Sequence, residues 1–495
     1  MSTNVHTASN NGQALTQIEQ WDFFELSLAG PQEGNPFVDV ILEAVFTSEH
    51  GVEAEVHGFY DGDGIYRIRF MPQQQGVWRY RTRSGASALD GVQGRFACIP
   101  ATGGNHGPVS VKHQFHFGYA DGTAYIPVGT TCYAWTHQDE GLQAETLASL
   151  KASPFNKLRM CVFPKSYQYN TNEPPHHAFA GDLASGWDET RFNPAFFRHL
   201  EQQVGELREL GIEADLILFH PYDRWGYDKL SAETDDRYLR YITARLAAYR
   251  NVWWSLANEY DLMKSKTTED WERFADIVTG HDPYDHLISI HNCIPFYDYT
   301  RPWITHCSVQ RVDVYRTAEN TDQWRQQWQK PIVIDECAYE GNIDWGWGNI
   351  TGEEMVRRFW EGAVRGGYVG HGETYLHPED ILWWSKGGRL HGTSPARIGF
   401  LRKIMEEGPG DGLNPLPSEW DVPRAGIADQ YYLYYFGFNQ PSYRHFRMEP
   451  GVRYHADIID TWEMTVQTQE GTFEGDFRLD LPGKPYIAVR LRRAQ

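Results

Sequence analysis

Between residues 124 and 373, short apolar segments alternate with stretches of helical character, and this alternation constrains the chain more than any other feature. Eight segments of strand character can be counted, at 124–135, 155–163, 213–220, 252–259, 287–291, 304–310, 331–336 and 367–373, the sixth being the least distinct. Helix-like stretches such as 194–210 and 235–249 fall between them. Strands separated by helices predict a parallel sheet. Eight such repeats over some 300 residues predict an α/β fold, a (β/α)8 TIM barrel spanning 106–412. The rival, a doubly wound sheet, wants a glycine-rich phosphate turn after its first strand, and Gly129-Thr-Thr-Cys is not one.

The flanks read differently. Residues 21–105 carry alternating runs at 39–46, 65–70 and 76–83, parted by turns such as Asp61-Gly-Asp-Gly, and predict an N-terminal antiparallel β-sandwich. That acidic turn lacks the remaining ligands of a calcium loop and reads as a hairpin turn. After Leu413-Asn-Pro-Leu-Pro the helical pattern stops, and runs at 430–437, 454–460, 463–468 and 487–492 predict a C-terminal β-sandwich over 413–495. Residues 1–20 are polar and predict a flexible tail. They show neither the basic start nor the apolar core of a signal peptide, and no apolar run nears the ~20 residues of a membrane span, so a cytoplasmic protein is expected.

Charge narrows the partners. With 45 Lys and Arg against 66 Asp and Glu, the net charge is −21, which disfavours nucleic acid and anionic membranes. A homo-oligomer stays compatible with it. Aromatics make up 14% of the chain, suited to sugar platforms, although β-rich domains also favour them. The six cysteines are scattered without CxxC or zinc-finger spacing and are expected to be reduced, mostly in buried runs.

Barrel sites gather at the C-terminal ends of the strands. Those ends present Trp135, Arg159, His220 with Asp223, Asn258-Glu259, His291-Asn292, Asp335-Glu336, and His371 with Glu373, followed by Trp383-Trp384. The lower strand segments read as an apolar core. Two carboxylates on opposite strands suit glycoside hydrolysis: one protonates the leaving oxygen, and the other attacks the anomeric carbon. Burial and like-charge repulsion would split their pKa values in the needed direction.

Trp254-Ser-Leu-Ala-Asn-Glu and Ile332-Val-Ile-Asp-Glu, with Glu259 and Glu336 77 residues apart, resemble the signature of clan A glycoside hydrolases. That clan uses a (β/α)8 barrel with an Asn-Glu acid/base after the fourth strand and a Glu nucleophile ending the seventh. Arg159 matches its second-strand Arg, and Trp383 or Trp384 its eighth-strand Trp. The three-part layout resembles the apiosidase-like branch. The resemblance implies catalytic Glu259 and Glu336, with no cofactor and no metal. Substrate-binding residues would be Asn258, Arg159, His220, His291, Trp135, Glu373, Trp383 and Trp384. Many clan members set a Tyr or His from the sixth strand beside the nucleophile, and here Gln310 or His306 would take that place.

The expected activity is therefore retaining hydrolysis of a carbohydrate substrate by double displacement. Exo action on plant or microbial oligosaccharides or glycosides is expected, because inserts at 167–192 and 338–350 can narrow the cleft. A non-catalytic carbohydrate-binding protein on the same fold is the alternative. Glu340 is a fallback nucleophile if the seventh strand slips in register. His176-His177, His371 and His377 could suggest a metal, but the first strand carries Cys132-Tyr-Ala-Trp where metal-dependent barrel hydrolases often begin with His-x-His. Trp345-Gly-Trp-Gly could serve as a sugar platform or cap the barrel.

Overall fold

The computed structural model describes residues 15–410, 412–417 and 419–494. Its centre is the expected (β/α)8 barrel. The strands are β1 (Gly129–Thr131), β2 (Lys157–Cys161), β3 (Glu213–Phe219), β4 (Val252–Ala257), β5 (Ile288–Ser289), β6 (Cys307–Gln310), β7 (Ile332–Glu336) and β8 (Tyr368–His371). They pair in parallel in the order β5-β4-β3-β2-β1-β8-β7-β6. A parallel bridge from His291 to Ser308 closes the ring between β5 and β6. The weak signal at 304–310 has a physical origin: β6 is only four residues long, and its register with β7 shifts after Ser308.

Short polar side chains start the outer helices where the strand loops deliver them. Asn193 caps Pro194–Glu209, Ser231 caps Ala232–Leu246, and Thr351 caps Gly352–Val364. Thr267 and Asp270 form a reciprocal capping box on Thr268–His281. Each such cap contributes about 1 kcal/mol and sets where the backbone turns from strand-end loop to helix.

The barrel interior corrects one expectation. Its lower layer is not wholly apolar, because β2 points two cations inward. Lys157 Nζ lies 2.6 Å from Asp215 of β3 and 2.8 Å from Asp335 of β7. Arg159 stands 3.8 Å from the same two carboxylates. Desolvation disfavours all of these charges, but the opposite charges prevail: Lys157 is held above its usual pKa and Asp335 well below. Beneath this layer the hairpin strands Val109–Lys112, His116–Tyr119 and Ala124–Tyr125 cover the barrel floor. Phe117 packs there against Trp253 and Tyr368.

The N-terminal sandwich sets a five-stranded sheet, in the order Gln17–Glu19, Gln93–Ile99, Gly76–Ser84, Leu42–Ser48, Glu53–His57, over a three-stranded one of Phe24–Ala29, Ile65–Phe70 and Phe59–Tyr60. The tail expected over 1–20 is thus shorter, since Gln17–Glu19 already pairs with 97–99. Residues 1–14 lie outside those described. A buried ionic network joins this domain to the barrel helices: Asp61 and Arg69 meet Arg245 and Glu201. At the other end, the strands Arg424–Ile427, Tyr431–Tyr435, Ile487–Arg493, Arg453–Asp460 and Thr465–Thr468 form a sheet. The pair Tyr443–Arg447 and Asp476–Asp480 packs on it around Tyr434, Phe446 and Leu491. All six cysteines are free thiols, five of them buried. Among the described residues no helix is long and apolar enough to cross a membrane.

Candidate active site

Glu259 follows β4 and Glu336 ends β7, and both line one cavity of about 360 Å3 at the C-terminal mouth of the barrel. Glu259 sits in the left-handed backbone region at φ 51°, and Ala338, two residues past Glu336, at φ 69°. A non-glycine residue there costs ~1–3 kcal/mol and persists only where its surroundings enforce it. Here the turns aim the Glu259 carboxylate and Ala338 into the cavity.

The Gln310 amide ties the two carboxylates together. With its nitrogen facing the acceptors, it donates 3.1 Å to Glu259 Oε1 and 3.3 Å to Glu336 Oε2, with the Asn292 carbonyl 3.2 Å away. The Tyr133 hydroxyl donates to Glu336 Oε1, and the Tyr222 hydroxyl to Glu259 Oε2. The Cys293 thiol also faces Glu259, and burial with that neighbouring charge pushes it up to about 12. Burial and the nearby Glu259 charge push the Glu336 carboxyl up to about 7, while Arg159, the Tyr133 hydrogen bond and Lys165 oppose the rise. Like-charge repulsion between two carboxylates bridged by one amide disfavours ionising both at once, so one proton is shared by the pair.

Five residues expected at the site line the cavity: Glu259, Glu336, Asn258, Gln310 and Trp384. The others lie outside its lining. Arg159 donates from Nη2 to the Asn258 amide oxygen at 2.9 Å, so it orients Asn258 from below. His291 is fully buried, 3.9 Å from Glu336, and burial together with the Arg159 charge keeps it neutral. His220 turns its Nε2 to the Phe163 carbonyl at 3.1 Å, and burial lowers its pKa to about 4. Trp135 is core, its indole N–H against the Met160 sulfur. The Trp383 indole donates to Thr130 Oγ1 at 2.8 Å. Glu373 accepts from the backbone of His391 and Gly392.

The fallback Glu340 is likewise elsewhere. It lies with His371 and Glu373 in a buried cluster whose ligand-type atoms fall within 4.8 Å of one another. Its oxygens accept from Thr393, Ser394 and Tyr375, pinning the start of helix Ser394–Glu406 to the barrel top. With those acceptor positions occupied by N–H and O–H donors, the carboxylate has little left to offer a cation.

Tyr133, Lys165, Tyr167, Tyr222 and Tyr339 complete the wall without having been singled out in the sequence. Tyr133 and Lys165 follow barrel strands by two and four residues, which was the available signal. Trp347, from the Trp-Gly-Trp-Gly loop, lies 5.1 Å from Trp384, ring centre to ring centre, and lines the cavity, whereas Trp345 stays half-exposed at the rim. A larger cleft of about 460 Å3 opens at the opposite end of the barrel, where, among the described residues, the one lining carboxylate, Glu406, is paired with Arg402.

Comparison with known proteins agrees with this geometry. Residues 112–407 match the family "Apiosidase-like, catalytic domain". The flanks match two domains of unknown function, DUF5060 over 17–85 and DUF5605 over 420–492. The crystal structure of a "putative glycoside hydrolase" from Bacteroides vulgatus is 41% identical, covering 97% of this chain and 100% of its own, with a TM-score of 0.92. A glycoside hydrolase family 5 structure from the same species shares the fold at 13% identity and a TM-score of 0.62, over 78% of this chain and 94% of its own. No curated protein matches the chain. A (β/α)8 barrel with a carboxylate pair at its mouth, together with these matches, places the chain in the apiosidase-like family of glycoside hydrolases.

Proposed function

We propose that the protein is a retaining, exo-acting glycoside hydrolase in which Glu336 is the nucleophile and Glu259 the acid/base. The observation that carries this reading is Gln310, whose single nitrogen reaches both carboxylates. Contacts of 3.1 and 3.3 Å to one nitrogen hold the nearest oxygens of the two carboxylates close together, which is compatible with the ~5–5.5 Å separation of a retaining pair.

The roles follow from the donors. Arg159 and the Tyr133 hydroxyl favour the charged form of Glu336 against the burial that raises its carboxyl, and the nucleophile role requires the shared proton to be on Glu259 when the glycosidic bond breaks. Glu336 attacks the anomeric carbon as Glu259 protonates the leaving oxygen. Glu259, now a carboxylate, then takes a proton from the water that releases the sugar. Asn258, its oxygen held by Arg159, presents its NH2 group for a sugar hydroxyl. A cavity of about 360 Å3 lies at the small end of the ~300–1,000 Å3 range of ligand pockets. Tyr167 and Trp347, from the inserts after β2 and β7, wall it. Both features support removal of a terminal sugar.

The test is a panel of aryl pyranosides and furanosides offered to the wild type and to Glu336→Ala. Loss of turnover in the variant with rescue by azide supports the nucleophile. Proton NMR showing the inverted anomer as the first product overturns retention.

A further inference from the structure

Lys165, four residues past β2, plays no part in the double displacement described above. It is 4% exposed and lines the cavity together with Glu259 and Glu336. Its ammonium lies 3.7 Å from the centre of the Tyr133 ring, 4.3 Å from Tyr222, 5.0 Å from Trp384 and 5.6 Å from Tyr167. Among the described residues it makes no hydrogen bond and has no carboxylate within 4.0 Å.

Lys157, eight residues earlier, shows how this barrel accommodates a buried lysine that is purely structural: two carboxylates bond it directly. Lys165 is held instead by ring faces. Their quadrupoles stabilise the charge but leave its three N–H donors without acceptors. The ammonium faces the cavity and no protein oxygen bonds it, so a sugar hydroxyl entering the cavity can accept from it. Burial also keeps the ammonium below the usual lysine pKa, which eases its exchange of solvent for ligand. The same rings that cage it, Tyr133 and Tyr222, donate to Glu336 and Glu259, so the cation stands beside both reacting groups.

We infer that Lys165 is the sugar-reading residue of the site: its ammonium donates to hydroxyl oxygens of the ring held against Glu336, and the substrate is a neutral glycoside. This deepens the glycosidase reading and rests on it. Neutrality follows from charge. With one proton on the carboxylate pair, the cavity holds one anion and one cation, and an uncharged sugar keeps that balance. A uronic acid would leave the buried cavity net negative within a chain of net charge −21, and an amino sugar would meet the ammonium. A site built to bond a hydroxyl strongly rejects the analogue that lacks it.

The experiment compares wild type, Lys165→Met and Lys165→Arg on neutral, uronide and amino aryl glycosides, and on monodeoxy versions of the best neutral one. The wild type is expected to prefer the neutral sugar. Lys165→Met should raise KM about 10-fold with little change in Tm. The deoxy position that costs the wild type about 100-fold should cost Lys165→Met almost nothing. A KM that stays put, a deoxy penalty equal in both proteins, or a preferred uronide overturns the inference while leaving the glycosidase reading intact.

A second readout does not depend on turnover. Lysine labelled with 13C at Cε, with the Lys165 signal identified by its loss in Lys165→Arg, is titrated with neutral monosaccharides. If the panel is silent but this signal moves, the lysine's role stands and the hydrolase reading fails. If neither responds, both fall.

Discussion

The Tyr133 hydroxyl, carried just past β1, donates its hydrogen bond to Glu336 at the end of β7. Two strands separated only by β8 are thus tied together through that carboxylate. That bond orients the Glu336 carboxylate and favours its charged form, as the proposed nucleophile role requires.

Removing that donor should therefore slow chemistry more than it weakens the fold. A hydrogen bond to a charged group contributes ~1.5–3 kcal/mol, which corresponds to roughly a 10- to 100-fold loss. Tyr133→Phe is expected to lower kcat by that factor with KM nearly unchanged, measured on the best aryl glycoside. A variant with full kcat would remove Tyr133 from the mechanism.

The pH profile follows from the shared proton. Turnover needs one proton on the Glu259–Glu336 pair, and burial with like-charge repulsion raises the Glu336 carboxyl to about 7. As pH rises through that value the pair loses its proton and no acid remains. The kcat/KM profile of the free enzyme should therefore fall on its alkaline side near pH 7, and a plateau extending to pH 9 would contradict the assignment.

The ionic layer inside the barrel concerns stability. Lys157→Met leaves Asp215 and Asp335 buried without their direct partner, and breaking such a pair costs ~3–5 kcal/mol. Urea unfolding should show that loss. Adding Asp335→Asn to the variant should recover part of it, because one of the stranded charges is then gone.

Glu213 gives the opposite sign. It starts β3, is buried, and accepts from the Trp253 indole at 3.0 Å. Burial raises its carboxyl from 4.5 to about 8. The folded state therefore binds more protons between those values, so this group's contribution to stability is intact below about pH 4.5 and is lost as pH rises through about 8. Glu213→Gln keeps the acceptor and removes the titration. It should be more stable than the wild type at pH 8, on the order of 3 kcal/mol, with the advantage vanishing by pH 4. Thermal unfolding at the two pH values checks this.

The sequence by itself determined the strand and helix order, because apolar periodicity and helix caps are local properties of the chain. It also determined that Glu259 and Glu336 sit at strand ends, since each closes an apolar run. Barrel closure decided the rest. Arg159 and His291 share those strand ends with the reacting pair, yet they point behind it, one under Asn258 and one against Glu336. Gln310, on a strand of four residues, reaches both carboxylates only because β6 shifts register against β7. Lys157 and Lys165 read alike as lysines of one strand and its loop, but one is bonded by two aspartates and the other caged by four rings. Apart from Tyr167, their partners come from β3, β7 and the loops after β1, β3 and β8, segments far away in sequence. Which groups face a lysine there is settled by the ring of strands closing, and no local pattern encodes it.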